Sequence, residues 1–223
     1  MEDLHKSSLF KNMTDKDIAK LCDCLAAHQK DVKKDSFVFR SGDPVRSVYL
    51  ILSGSMHIIN EYFWGDRSIV ETMRPYTLFG EAYVFAQKGH HIVSVVAAED
   101  SVVLEMDPKR LVETCPHTCD CHTQLLQNAV EILSKKIVLL TEKLEHVVQR
   151  TTRNKIISYL SQCMHQNHHN PFTIPYSRQQ LADYLCVDRS ALSHELCKLR
   201  DAGLIKFHKN QFELLLDEKD ILL

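Results

Sequence analysis

The chain has 223 residues, 44% of them hydrophobic and 25% charged, with a formal net charge of −2 and eight cysteines. That length and apolar share support a sizeable buried core in one large domain or two small ones, and the near-neutral charge excludes a chain that is a polycation throughout. No run approaches the roughly 18 apolar residues of a membrane span, and the opening MEDLHKSSLF lacks a signal peptide's hydrophobic stretch, so a cytoplasmic protein with reduced thiols and no membrane partner is expected.

The first helix signal is TDKDIAKLCDCL, where Thr14 caps, Asp17 reciprocates, and Ile18, Leu21, Cys22 and Leu25 share a face. From about residue 32 to 106 the period changes to two. SVYLIL, SMHII, RSIVETM, IVSVVAAE and SVVLEM are short β-branched runs, separated by SGDP, SGS, WGD, FGE and QKGH. Many short strands with glycine turns predict a β-sandwich or β-roll. Asp107 then caps a helix with Pro108 at its first position.

After CPHTCDC a long helix begins. Leu126, Val130, Leu133, Ile137, Leu140, Leu144 and Val147 recur at spacings of four and three, a narrow heptad row that calls for a partner helix and predicts a homodimer. QRTTRNK follows as a polar hinge, and a mostly helical segment ends in LIKFHKNQFELLL, two short strands around Lys209 and Asn210. The expected division is 1–116 for the β-roll, 117–150 for the dimerisation helix and 151–223 for a small helical domain with a hairpin.

That last segment is locally basic: Arg153, Lys155, Arg178, Arg189, Lys198, Arg200, Lys206 and Lys209 outnumber Asp183, Asp188, Glu195 and Asp201. Within YSRQQLADYLCVDRSALSHELCKLRDAGLI, Ser177 and Gln180 form a capping box, CVD makes a turn, Asp188 caps a second helix and Gly203 ends it. Leu192, Leu196 and Leu199 share one side of that helix. Arg189, Ser190, Ser193, His194 and Arg200 gather on the other, a face suited to the major groove because arginine bonds guanine bidentately and serine or histidine reach base edges or phosphates. Lys206, His208 and Lys209 would give a basic wing, so palindromic double-stranded DNA is the predicted partner.

Together FRSGDPVRSVYLILSGSMHI, LFGEAYVF and SRQQLADYLCVDRSALSHELCKLRDAGLI resemble the cyclic-AMP receptor protein/FNR (CRP/FNR) family of bacterial transcription regulators over nearly the entire chain. The resemblance implies an α+β protein: an N-terminal double-stranded β-helix (a cupin-like β-roll) that binds an effector, a long dimerisation helix, and a C-terminal winged helix-turn-helix. Gly42 and Gly54 match turn glycines, and Gly80 and Glu81 match the family's FGE element. By position Arg189, Ser190, Ser193 and His194 would enter the major groove, with Ser177, Arg178, Gln179, Lys206 and Lys209 beside them. RNA polymerase is a further partner consistent with such a regulator.

One departure bears on the effector. Members that bind cyclic AMP hold its phosphate with an Arg-Ser pair after FGE, and here those positions are His91 and Ile92. Isoleucine offers no hydrogen bond and histidine only a partial charge at neutral pH, which argues against cyclic AMP and for another small effector beside Gly80, Glu81, His91 and Ile92. The other opening is CPHTCDCH, where Cys115, Cys119 and Cys121 allow a redox or metal role, but the cysteine spacing differs from that of the family's iron–sulfur sensors. No metal, cofactor or enzymatic site is assigned.

Overall fold

A computed structural model describes residues 3–61, 67–112, 120–167 and 169–215. They form two compact units whose boundary falls between Ser134 and Lys135, inside the long helix. The helix that the sequence marks as a separate part is therefore shared between the two.

The first unit opens with single-turn helices at Leu4–Lys6 and Ser8–Phe10, then α1 (Asp15–Cys24). Thr14 Oγ1 accepts from the Asp17 amide at 3.2 Å and donates to the Asp17 carboxylate at 2.6 Å, the predicted reciprocal cap. Strands β1 (His28–Val32), β2 (Phe37–Phe39), β3 (Val48–Ser53), β4 (Met56–Glu61), β5 (Arg67–Met73), β6 (Leu78–Phe79), β7 (Ser94–Ala97) and β8 (Ser101–Met106) follow, with α2 (Glu81–Phe85) between β6 and β7. They pair antiparallel in two sheets of order β1-β8-β3-β6 and β2-β7-β4-β5, the double Greek key of a jelly roll. Helices α3 (Pro108–Val112) and α4 (Asp120–Val147) complete the segment, and Asp107 caps α3 by accepting from the Lys109 amide at 2.9 Å.

Two clusters explain the strand sequences. Phe39, Tyr49, Ile51, Met56, Met73, Phe79, Val95 and Val103 fill the space between the sheets. Leu9, Phe10, Leu21, Val48, Leu50, Leu104, Met106, Leu111, Leu125 and Ala129 pack the helices onto the outer face of the first sheet. Strand β3 is covered on both faces, which is why VYLIL is continuously apolar rather than alternating. The polar strand β1 shows no alternation because it is an exposed edge, and the sequence pattern passed over it along with β2, β6 and α2.

The second unit holds the C-terminal part of α4, then α5 (Thr152–Asn167), β9 (Phe172–Thr173), α6 (Arg178–Tyr184), α7 (Arg189–Asp201), β10 (Ile205–His208) and β11 (Gln211–Leu214). Thr151 Oγ1 accepts from the Asn154 amide at 3.1 Å, so most of the expected polar hinge is already helical and the break narrows to residues 148–151. Leu160, Leu181, Leu185, Leu192, Leu196, Leu199, Ile205 and Phe212 make its core. The predicted hairpin β10-β11 gains a third strand, β9, on its far side.

Candidate nucleic-acid interface and effector site

Helices α6 and α7 are joined by a turn in which Cys186 takes a left-handed conformation (φ 52°) and the Val187 amide donates to the Ala182 carbonyl at 3.0 Å. The capping box is present: the Gln180 amide donates to Ser177 Oγ at 3.3 Å and the Ser177 amide to Gln180 Oε1 at 2.8 Å. Asp188 differs from expectation. It occupies the N-cap position of α7 but makes no side-chain capping bond. Gly203 ends the helix as predicted, at φ 73°, with the Leu204 amide donating to the Leu199 carbonyl at 3.0 Å.

Burying Leu192, Leu196 and Leu199 turns the other side of α7 outward: Arg189, Ser190 and His194 are exposed and Ser193 is half-buried. Arg200, at the far end, is drawn to Asp201 at 2.9 Å. The beginning of α6 and the β10-β11 turn bound a cleft of ≈ 510 Å³ lined by Ser177, Arg178, Gln180, Lys209 and Asn210. Arg178 serves that cleft structurally, since its guanidinium donates to the Lys209 carbonyl at 3.1 Å and lies 5.1 Å and 5.5 Å from the Phe207 and Phe212 ring centres. Its half-burial lowers its pKa through desolvation, from a value so high that it stays charged. Gln179 donates to Asp183 at 2.8 Å, and Lys206 lies 3.5 Å from Glu213 across the hairpin.

In the β-roll, Gly80 begins α2 at φ 83° and Glu81 is buried. His91 is only 3% exposed: its ring stacks 3.6 Å from Phe39, Tyr83 meets it edge-on at 4.8 Å, and its Nδ1 has no hydrogen-bond partner among the described residues. Desolvation pulls the His91 pKa below its ordinary value, with Asp43 opposing, so the ring is neutral near pH 7. Ile92, expected beside it, is 75% exposed and does not share that enclosure. Nearby, Glu61 accepts from Ser94 Oγ at 2.9 Å and lies 3.5 Å from Arg40, which itself sits 3.5 Å over Phe37.

The long helix carries two apolar rows. Leu125 and Ala129 are buried in the first unit, where Asn128 donates to the Leu9 and Lys11 carbonyls, each at 2.9 Å. Of the predicted seam, Val130, Ile137, Leu140 and Leu144 are 59–66% exposed, while Leu126, Leu133 and Val147 are half-buried. Cys115 and Cys119 lie outside the described residues; Cys121 donates its thiol to Asp17 at 3.7 Å. Sequence reasoning passed over His146, buried at the end of α4, and over the ring cluster of Tyr159, Tyr176 and Tyr184, because neither follows a recognisable spacing.

A jelly roll with a buried glutamate and histidine, a helix with an uncovered apolar row, and a winged helix-turn-helix define a sensor-coupled DNA-binding regulator. The family profile of the cyclic nucleotide-binding domain matches residues 29–117 and that of the Crp-like helix-turn-helix domain residues 154–219, together well over half the chain. The chain is 21% identical over 204 residues to Electron transport regulator A of Shewanella oneidensis, covering 89% of this chain and 79% of that one. Among solved structures of the same fold are the Thermus thermophilus catabolite activator protein (TM-score 0.56, 19% identity, 93% of each chain) and the c-di-GMP responsive regulator CLP of Xanthomonas campestris (TM-score 0.58, 20% identity, 92% of this chain and 100% of that one). The protein belongs to the CRP/FNR family of transcription regulators, and its β-roll and winged helix-turn-helix are the effector and DNA-binding domains of that type. No helix among the described residues is long and apolar enough to cross a membrane.

Proposed function

We propose that this regulator works in the cytoplasm as a homodimer on palindromic double-stranded DNA, through binding rather than catalysis, with RNA polymerase as its further partner. Residues 1–116 sense, 117–150 dimerise through Leu126, Val130, Leu133, Ile137, Leu140, Leu144 and Val147, and 151–223 read DNA. Arg189, Ser190, Ser193 and His194 meet base edges, while Ser177, Gln179, Lys206 and Lys209 flank the backbone. The observation that carries this reading is the seam: a row of large aliphatic side chains left exposed on the same chain as an outward-facing recognition helix, as two half-sites require.

The effector in this reading is a small molecule other than cyclic AMP, placed beside Gly80, Glu81 and His91. A neutral, enclosed His91 supplies no fixed charge for a phosphodiester, and the exposed Ile92 supplies no hydrogen bond. That the CLP regulator is described as c-di-GMP responsive fits a fold that serves more than one ligand class. Selection from random duplexes followed by footprinting tests the whole: a protected palindrome is expected, and Arg189→Ala should cost about 1–3 kcal/mol and relax one base preference. Recovery of no palindrome with any fraction of the purified protein would refute it.

A further inference from the structure

The last turns of α4 are held to the DNA-reading unit by polar groups that the seam does not use. His146 is 1% exposed, with Nδ1 2.8 Å from Ser158 Oγ and Nε2 against Gln162 Oε1. Ser158 and Gln162 are four residues apart and so lie on one face of α5. The amide oxygen only accepts, which places the proton on Nε2 and leaves Nδ1 to accept from the Ser158 hydroxyl. Every polar position of the ring is thereby matched.

Two contacts reinforce it. Gln166 donates to Glu142 at 3.4 Å, and Lys143 Nζ sits 5.5 Å over the ring of Tyr184, the last residue of α6. His146 itself meets Tyr159 edge-on at 5.6 Å. Helical periodicity turns Leu140, Leu144 and Val147 to a different side of the same turns, so one stretch of helix presents its seam to one side and its clamp to the other. An apolar contact tolerates sliding, whereas a buried polar pair with fixed donor and acceptor directions accepts one geometry.

We infer that His146 is a positioning residue, which fixes the reading head on the seam helix so that the two heads of a dimer stand at one spacing. The inference rests on the proposed dimeric reading of palindromic DNA and goes beyond it. No residue of the clamp contacts DNA in that reading. Its loss should therefore blur spacing while leaving half-site affinity intact.

The experiment titrates wild type, His146→Leu and Gln162→Ala onto the palindrome recovered by selection, onto the same palindrome with one base pair inserted at its centre, and onto a single half-site. The insertion separates the half-sites by about 3.4 Å and rotates them by about 35°. Wild type is expected to prefer the original spacing by about tenfold or more, and both variants to retain less than about threefold, with half-site affinity within about twofold of wild type. Gln162→Ala leaves the imidazole in its packing and decides the matter if His146→Leu does not fold. Variants that keep the wild-type spacing preference, or that lose half-site and palindrome binding in equal proportion, overturn the inference. Failure of wild type to select any palindrome overturns instead the dimeric reading beneath it.

Discussion

Truncating one seam residue tests the association directly. Leu140 is 66% exposed, so about two thirds of its side chain remains to be covered by a second copy. Leu140→Ala removes the equivalent of about three methylenes at about 0.8 kcal/mol each, or roughly 1.6 kcal/mol at two-thirds burial. A two-fold interface repeats the loss on both protomers, giving about 3 kcal/mol and a dissociation constant about 100-fold weaker. Sedimentation equilibrium from about 0.1 to 100 μM brackets such a change. Val138 is 55% exposed but points away from the row, so Val138→Ala should leave the constant within about twofold. Dimerisation of Leu140→Ala within about threefold of wild type, or an equal loss in Val138→Ala, would refute the assignment of the seam.

Three further outcomes follow from local geometry. A Cβ at Gly54 would lie 2.2 Å from Ser101 Oγ and 2.8 Å from the Asp100 carbonyl in a backbone at φ +79°, so Gly54→Ala should destabilise by about 3 kcal/mol or more, lowering the melting temperature by several degrees. Cys186→Gly relieves a side chain held at φ 52° and should raise stability by about 0.5–1 kcal/mol in urea titration; a loss of stability would contradict the strain. Because burial depresses the His91 pKa below 6.5, the unfolded chain takes up a proton that the folded one refuses, and this cost is absent above that pH and grows as pH falls below it. The stability of wild type relative to His91→Leu should therefore decline between about pH 7.5 and 5.5, and a gap that stays constant would exclude a depressed His91.

Much of the architecture was legible because short-range chemistry dictates it. Thr14 with Asp17, Asp107 with Pro108, and Ser177 with Gln180 announce helix starts from neighbours within one turn, and each is realised. The α-carbon geometry of Gly203 likewise follows from its place after an apolar row. Features set by distant neighbours were not legible. Strand β1 is specified by pairing with β8 rather than by its own polar side chains, and the enclosure of His91 depends on Phe39, far from it in sequence, and on Tyr83 from the preceding helix α2. Ile92 follows His91 immediately, yet it lies in the bend that precedes β7 and is exposed, so the pair does not share one enclosure. Arg178 shows the same limit at the interface: its charge marks DNA in sequence, whereas in the fold part of its guanidinium ties α6 to the wing.

The long helix joins these two kinds of information. Its heptad row is a property of sequence alone, but Leu125 and Ala129, one position before Leu126 and Val130, belong to the core of the first unit, and His146, one position before Val147, belongs to the second. A helix that served only its own domain would need the first set and would have no use for Val130, Ile137, Leu140 and Leu144 in water. A helix that served only as a coiled coil would have no use for a fully satisfied buried histidine off its seam. Both sets on the same 28 residues therefore give one helix three separate surfaces: side chains in the core of the first unit, the row proposed as the contact between copies, and the histidine that bonds α5 in the second unit.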